Sequence, residues 1–328
     1  MITFKKTFVV AAIAFGGASV FAFPTFSPGT NRLIFDAFEN QYRSTASCTA
    51  TPGFCLAHDS HTDPAGFNRV DPASSGVNSL IAGDLFAGAF KINNIIPGGL
   101  SNQSSAASQF TGYFAQQVQS ITFPFLDPAL ASINFVAPTI DPFNVFTRAG
   151  EMFRLYVQAP GVFDPSDGRS AAQEVVDATS GSYFGSLKIG AQHGYAYTSD
   201  NLSQAGENDV NINSYLALDF ILPNGPAYNA GKLNLVNDQS EQQVGGVTTG
   251  GGLLCAPSDI GSAIACTDIV GSVHINRNSN FGAGNGNSPF YYEAGNPLFL
   301  NVVPEPGSLA LMGLSLSLLA VVRRRRST

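Results

Sequence analysis

Glu151-Met152-Phe153-Arg154-Leu155-Tyr156-Val157-Gln158 places Phe153, Leu155 and Val157 on one side and Arg154 and Gln158 on the other. That two-residue period is the mark of a half-buried β-strand. Ser214–Leu222, SYLALDFIL, repeats it with Leu216, Leu218, Phe220 and Leu222 turned inward. Ser186–Ile189, Lys232–Val236, Ser272–Arg277 and Pro297–Val302 follow the same rule. Turn-forming clusters separate them: Asn224-Gly225-Pro226, Gly245-Gly246, Gly250-Gly251-Gly252, and Asp-Pro pairs at Asp63, Asp71, Asp127, Asp141 and Asp164. The pattern predicts a mainly β body, an antiparallel β-sandwich or jelly-roll-like fold. Over 104–120, Phe110, Tyr113, Phe114 and Val118 fall at i, i+3, i+4 and i+8, which predicts one amphipathic helix packed on the sheet. The proline-bearing stretch Phe123–Phe143 is the expected connector, and no repeat of solenoid or propeller length is visible.

Charged residues make up 12% of the 328 residues, about half of what a soluble domain carries. The ends account for part of this. Lys5 and Lys6 precede an uncharged stretch, Thr7–Val20, and Val20-Phe21-Ala22 supplies small side chains for cleavage. Residues 1–22 therefore read as a signal peptide, handled by the export machinery and signal peptidase. Its 14-residue apolar run is short of the ~20 residues a helical span needs. At the other end, Val303-Pro304-Glu305-Pro306 is stiffened by two prolines. Gly307–Val322 follows without a charge, and Arg323, Arg324, Arg325 and Arg326 stop it. As one helix these 16 residues would rise about 24 Å, marginal against a hydrocarbon core of ~30 Å, with the arginines held on the cytoplasmic side. The domains expected are thus 1–22, an exported β-rich body over 23–302, and a sorting segment over 303–328. The body alone carries 10 basic and 22 acidic residues, a net charge of −12. That balance is wrong for a nucleic-acid partner or an anionic lipid surface.

In Val303–Pro306, in the following Gly307-Ser308-Leu309-Ala310-Leu311 and in Arg323–Arg326, the sequence resembles the PEP-CTERM proteins, exported substrates of exosortase in Gram-negative bacteria. The resemblance spans 26 of 328 residues. It implies processing near Pro-Glu-Pro by a membrane-embedded cysteine protease of transpeptidase type. Transient inner-membrane anchoring would be followed by delivery to the cell surface or extracellular matrix. It also implies, by association, a structural or adhesive role in biofilm or floc formation with exopolysaccharide. The rival expectation is a secreted polysaccharide-binding module or hydrolase acting on matrix glycans.

Export sets the reading of Cys48, Cys55, Cys255 and Cys266. In an oxidising compartment an even number favours disulfides over zinc or redox catalysis. Three pairings are open, and the short spacings favour Cys48–Cys55 with Cys255–Cys266. His58-Asp59-Ser60-His61-Thr62-Asp63 has metal-ligand composition but matches no metalloenzyme motif, and it reads first as a polar loop. Asp200, Glu207 and Asp209 form an oxygen-rich patch compatible with calcium, without EF-hand spacing. Asp164-Pro165-Ser166-Asp167-Gly168 is similarly compatible but reads first as a turn. No nucleophile elbow, phosphate-binding loop or dinucleotide fingerprint occurs, so neither catalysis nor a resident cofactor is expected. Without tryptophan, any sugar-stacking platform would fall to Tyr291-Tyr292 or Tyr195-Ala196-Tyr197, which read first as core or edge-strand aromatics.

Overall fold

The computed structural model describes residues 29–71, 80–97, 109–122, 131–189, 195–199, 212–220, 243–244, 247–248, 269–277 and 288–302. The strands are β1 (Gly29–Ser44), β2 (Phe67–Arg69), β3 (Leu85–Pro97), β4 (Gln109–Thr122), β5 (Ala131–Val136), β6 (Phe153–Gln158), β7 (Ser182–Ile189), β8 (Tyr195–Ser199), β9 (Ile212–Phe220), β10 (Gln243–Val244), β11 (Val247–Thr248), β12 (Ile269–Arg277) and β13 (Tyr292–Val302). Two short helices, α1 (Thr45–Ala50) and α2 (Ala171–Ala178), accompany them. Apart from the β10–β11 ribbon, the strands form one antiparallel sheet.

The pairings close on themselves. β1 pairs with β3, β3 with β4, β4 with β6, β6 with β7, β7 with β9, β9 with β12, β12 with β13, and β13 again with β1. An eight-stranded ring results, and a barrel of that size is just wide enough to be filled by its own side chains. Between β4 and β9 the wall has two storeys. Residues 109–114 of β4 pair with β6, while residues 117–122 pair with β5, which leads through β8 to β9. At the level of hydrogen bonding the expected antiparallel body is one continuous ladder, not two separate sheets.

Alternate residues of the ring converge on a single core: Leu33, Phe35 and Ala37 of β1, Phe86, Phe90 and Ile92 of β3, Phe110, Phe114 and Val118 of β4, Phe153, Leu155 and Val157 of β6, and Leu298 of β13. The rings lock edge to face, as in Phe110 and Phe184 at 4.7 Å between centroids, or stack, as in Phe114 and Phe153 at 5.5 Å. Where β-strands cross closely no Cβ is tolerated: one on Gly88 would meet the Phe38 carbonyl oxygen at 1.8 Å, and one on Gly112 that of Arg154 at 2.1 Å.

The predicted helix over 104–120 is corrected: its described part is strand β4. Phe110, Phe114 and Val118 share a parity, so a four-residue spacing fits a strand as well as a helix. Tyr113 and Ala115 point the other way, into a second apolar cluster with Tyr42, Leu85, Ala87 and Val175. β1, β3 and β4 are covered outside the barrel too, by Phe143, Val145 and Phe146 and by α2. A strand buried on both sides carries apolar residues at both parities, which imitates a helical stripe. Among the described residues the amphipathic helix is α2, opened by a Ser170 cap that accepts from the Gln173 amide at 3.2 Å.

The Asp-Pro pairs behave as turn hubs where described. Asp141 accepts from the Tyr113 hydroxyl at 2.5 Å and from the amides of Phe143, Val145 and Phe146, fixing the loop that covers β4. Asp164 receives the amide and hydroxyl of Ser166. Among the described residues no helix is long and apolar enough to cross a membrane.

Candidate functional site

The first and last strands of the body lie side by side. Gly29 pairs with Val302, and the antiparallel register runs without interruption to Glu39 opposite Tyr292. Val302 is the residue immediately before Val303-Pro304-Glu305-Pro306. Proline at 304 and 306 cannot donate to a ladder, so the strand has reason to stop here. The five residue steps from Val302 to Gly307 extend at most about 18 Å, which bounds the distance from the barrel to the apolar segment. Five residues, 24–28, lie between Phe23, the expected first residue after cleavage, and Gly29. The expected signal peptide and the sorting motif would therefore both connect to the same end of the barrel through short stretches of sequence. The signal peptide, the sorting residues Val303–Pro306 and the Arg323–Arg326 stop themselves lie outside the described residues.

The opposite end of the interior is polar. Arg43 and Asp84 form an ion pair with side chains 1% and 0% exposed. Asp84 also accepts from Gln41 Nε2 at 2.9 Å and the Ile81 amide at 3.0 Å, and Arg43 Nη1 donates to Thr51 Oγ1 at 3.1 Å. One step back along β1, Glu39 is buried and neither carboxyl oxygen has a hydrogen-bond partner. Burial pushes its carboxyl up to about 8. On α2, Glu174 is pushed up to about 9 by burial and by neighbouring Asp167 and Asp177. Glu39 belongs to the barrel interior and Glu174 to the helix outside, so these two carboxyls are not brought together.

The Cys48–Cys55 disulfide is present, with Cα atoms 5.7 Å apart, and it fastens α1 to the following loop. Cys255 and Cys266 lie outside the described residues, as do Asp200, Glu207 and Asp209. The 58–63 segment is a loop in which Asp59 and Asp63 accept backbone amides and His58 Nδ1 meets the Phe67 carbonyl at 3.0 Å. Among the described residues no group of three or more His, Cys, Asp or Glu side chains is placed to hold a metal ion.

Tyr291 and Tyr292 are buried, as core aromatics are, and offer no stacking platform. The half-exposed aromatic pair is on the outside of β6 and β7. Tyr156 and Tyr183 meet edge to face at 6.0 Å, with Arg154 lying 4.9 Å and Arg148 5.9 Å from the Tyr183 ring. Arg154 also donates to the Val145 carbonyl, which ties it to the 145–147 loop. The signal was within EMFRLYVQ: the alternation that turns Phe153, Leu155 and Val157 inward turns Arg154 and Tyr156 outward. The partner Tyr183 comes from β7 and needs the fold to be found.

No curated protein and no solved structure matches the chain. A family model does, over residues 302–326, and its description is the PEP-CTERM protein-sorting motif. The motif implies a secreted, exosortase-processed, cell-surface protein. The chain thus carries a PEP-CTERM protein-sorting motif, attached without a spacer to the strand that closes its barrel.

Proposed function

We propose that this protein is a non-enzymatic structural or adhesive component of the cell surface or extracellular matrix, acting with exopolysaccharide in biofilm or floc cohesion. The observation that carries the reading is the sorting motif at 302–326 joined directly to β13. Export presents the chain, the Gly307–Val322 segment holds it briefly in the inner membrane, and exosortase removes that segment. Because β13 is fully paired before residue 303, processing leaves the barrel whole. The body supplies the adhesive surface and the reading requires no cofactor. The rival reading, a glycan-binding module or hydrolase, gains support for binding from the half-buried Tyr156–Tyr183 pair on the outer face.

Fractionation tests the sorting half. In a host with exosortase, the mature protein should appear at the surface or in the medium without Arg323–Arg326 by mass. Replacing Pro304, Glu305 and Pro306 with alanine should leave it in the inner membrane. Arginine-bearing protein persisting in inner membranes beside active exosortase overturns the proposal. Loss of cell–cell cohesion on deletion, restored by the gene, tests the adhesive half. Substrate turnover abolished by one carboxylate substitution would move the protein to the hydrolase class.

A further inference from the structure

Helix α2 lies as a strap across the outside of the barrel. Its Ala171 and Ala178 share one apolar cluster with Phe38, Ala89 and Phe290, and its Val175 joins Tyr42, Leu85 and Tyr113 in another. A hydrogen bond ties each end: the Ala171 amide donates to the His61 carbonyl at 2.8 Å, and Thr111 Oγ1 donates to the Ala178 carbonyl at 2.7 Å. Between the two ties sits Glu174, 0% exposed, and neither of its carboxyl oxygens meets a donor. The polar group within its hydrogen-bonding reach is a second carboxyl, that of Asp167 in the turn before the helix. Asp177 adds a further negative charge from α2 itself. Arg169 is the cation nearby, and it is engaged already: Nε grips Asp167 at 2.8 Å and Nη1 holds Asp177. From the sheet beneath, Lys91 of β3 leans over the Phe38 ring and acts on Asp164.

This setting suits only one state of Glu174. Protonated, it has a single O–H to donate, and the Asp167 carboxylate accepts it. Ionised, it is a buried anion facing another anion. We propose that α2 is a proton-latched strap: the proton shared by Glu174 and Asp167 holds the helix on the barrel, and its loss lets the helix lift and uncover Phe38, Ala89 and Phe290. The closed strap keeps a proton that the open one, with an ordinary carboxyl, releases. The latch is therefore complete below about pH 4.5 and is lost as pH rises through about 9. Between those limits the opening equilibrium rises up to about tenfold per pH unit. The opening is local, because the ring of strands closes without α2. The device goes beyond the adhesive reading and depends neither on it nor on sorting.

Hydrogen exchange on the full-length chain in neutral detergent tests this, with rates corrected for the intrinsic effect of pH. Protection over Glu174–Ala178 should fall by up to about a hundredfold from pH 6 to pH 8. Glu174→Gln should remove that dependence, while Glu39→Gln, which alters the barrel interior, should leave it in place. Protection in the parent that does not fall with pH overturns the proposal, and this arm needs no variant to fold. A slope that survives Glu174→Gln overturns it as well. A slope abolished by Glu39→Gln would mean that the helix opens only with the whole barrel, which also overturns it.

Discussion

Arg43 grips Asp84 with two parallel hydrogen bonds, Nε to one carboxylate oxygen and Nη2 to the other, both at 2.7 Å and both inside the barrel. The pair joins β1 to the turn before β3. Through Thr51 it also reaches the end of α1, and the Asp84 carbonyl receives the Val118 amide of β4. Four parts of the chain are thus held by one ion pair.

Removing one partner strands the other charge in the interior. Asp84→Ala or Arg43→Ala should each cost about 3–5 kcal/mol in chemical denaturation. The double replacement Arg43→Met with Asp84→Leu should recover a large part of that loss, because both desolvation costs disappear. Single variants as stable as the parent would show that the pair is not under tension from burial.

Glu39 gives a pH dependence with a definite sign. Its folded carboxyl titrates at about 8 against an ordinary 4.5, so the native state keeps a proton that the unfolded chain releases. Stability from this group is complete below about pH 4.5 and is lost as pH rises through 8. Glu174, raised to about 9, acts in the same direction. Melting temperature should therefore fall between pH 5 and 9. Glu39→Gln should flatten the slope and Glu39→Gln with Glu174→Gln should flatten it further.

Gly112→Ala should prevent the barrel from closing at β4 and β6. The added methyl would lie 2.1 Å from the Arg154 carbonyl and 2.7 Å from the Phe90 ring. Backbone on one side and a packed aromatic on the other leave nothing free to yield. Loss of the cooperative thermal transition is the expected result, followed by near-ultraviolet circular dichroism.

Opening the Cys48–Cys55 bridge should cost about 2.5 kcal/mol in the chain-entropy model, since the loop it closes is short. The effect should be local, raising hydrogen exchange over α1 and the following loop and leaving β4 and β6 unchanged.

Deleting 303–328 should leave the melting temperature unchanged, whereas deleting from Asn296 onward should abolish folding. The longer deletion removes the described pairs with β12 at Leu298, Phe299 and Leu300 as well as seven pairs with β1, from Gly29–Val302 to Phe35–Asn296. Equal stability of the two truncations would contradict the closed ring.

The strands whose sequence alternates were readable in advance. β6 has the alternation expected of it, and β9, β12 and β13 fall where alternation placed strands. β4 was misread because burial on both sides erased its period. β1 escaped for a related reason: Phe38 and Tyr42 lie under outer coverings, while Glu39, Gln41 and Arg43 face inward, the reverse of the usual assignment. The sorting segment was fully legible, since its meaning depends on local order of residue types. The Tyr156–Tyr183 face was half legible, because pairing between distant strands is set by loop closure and register, which local pattern does not encode.

The Gly29–Val302 pairing also fixes how the protein carries load. If a force pulls the two ends of the body apart, it peels the β1–β13 ladder one pair at a time, beginning with Gly29 and Val302. If the force enters at Val302 and leaves through the far end of the barrel, by way of β1, all eleven pairs of that ladder are sheared together. A body held by its C-terminal strand and tugged by something it grips would meet the second geometry, the one in which a β-ladder is mechanically strong.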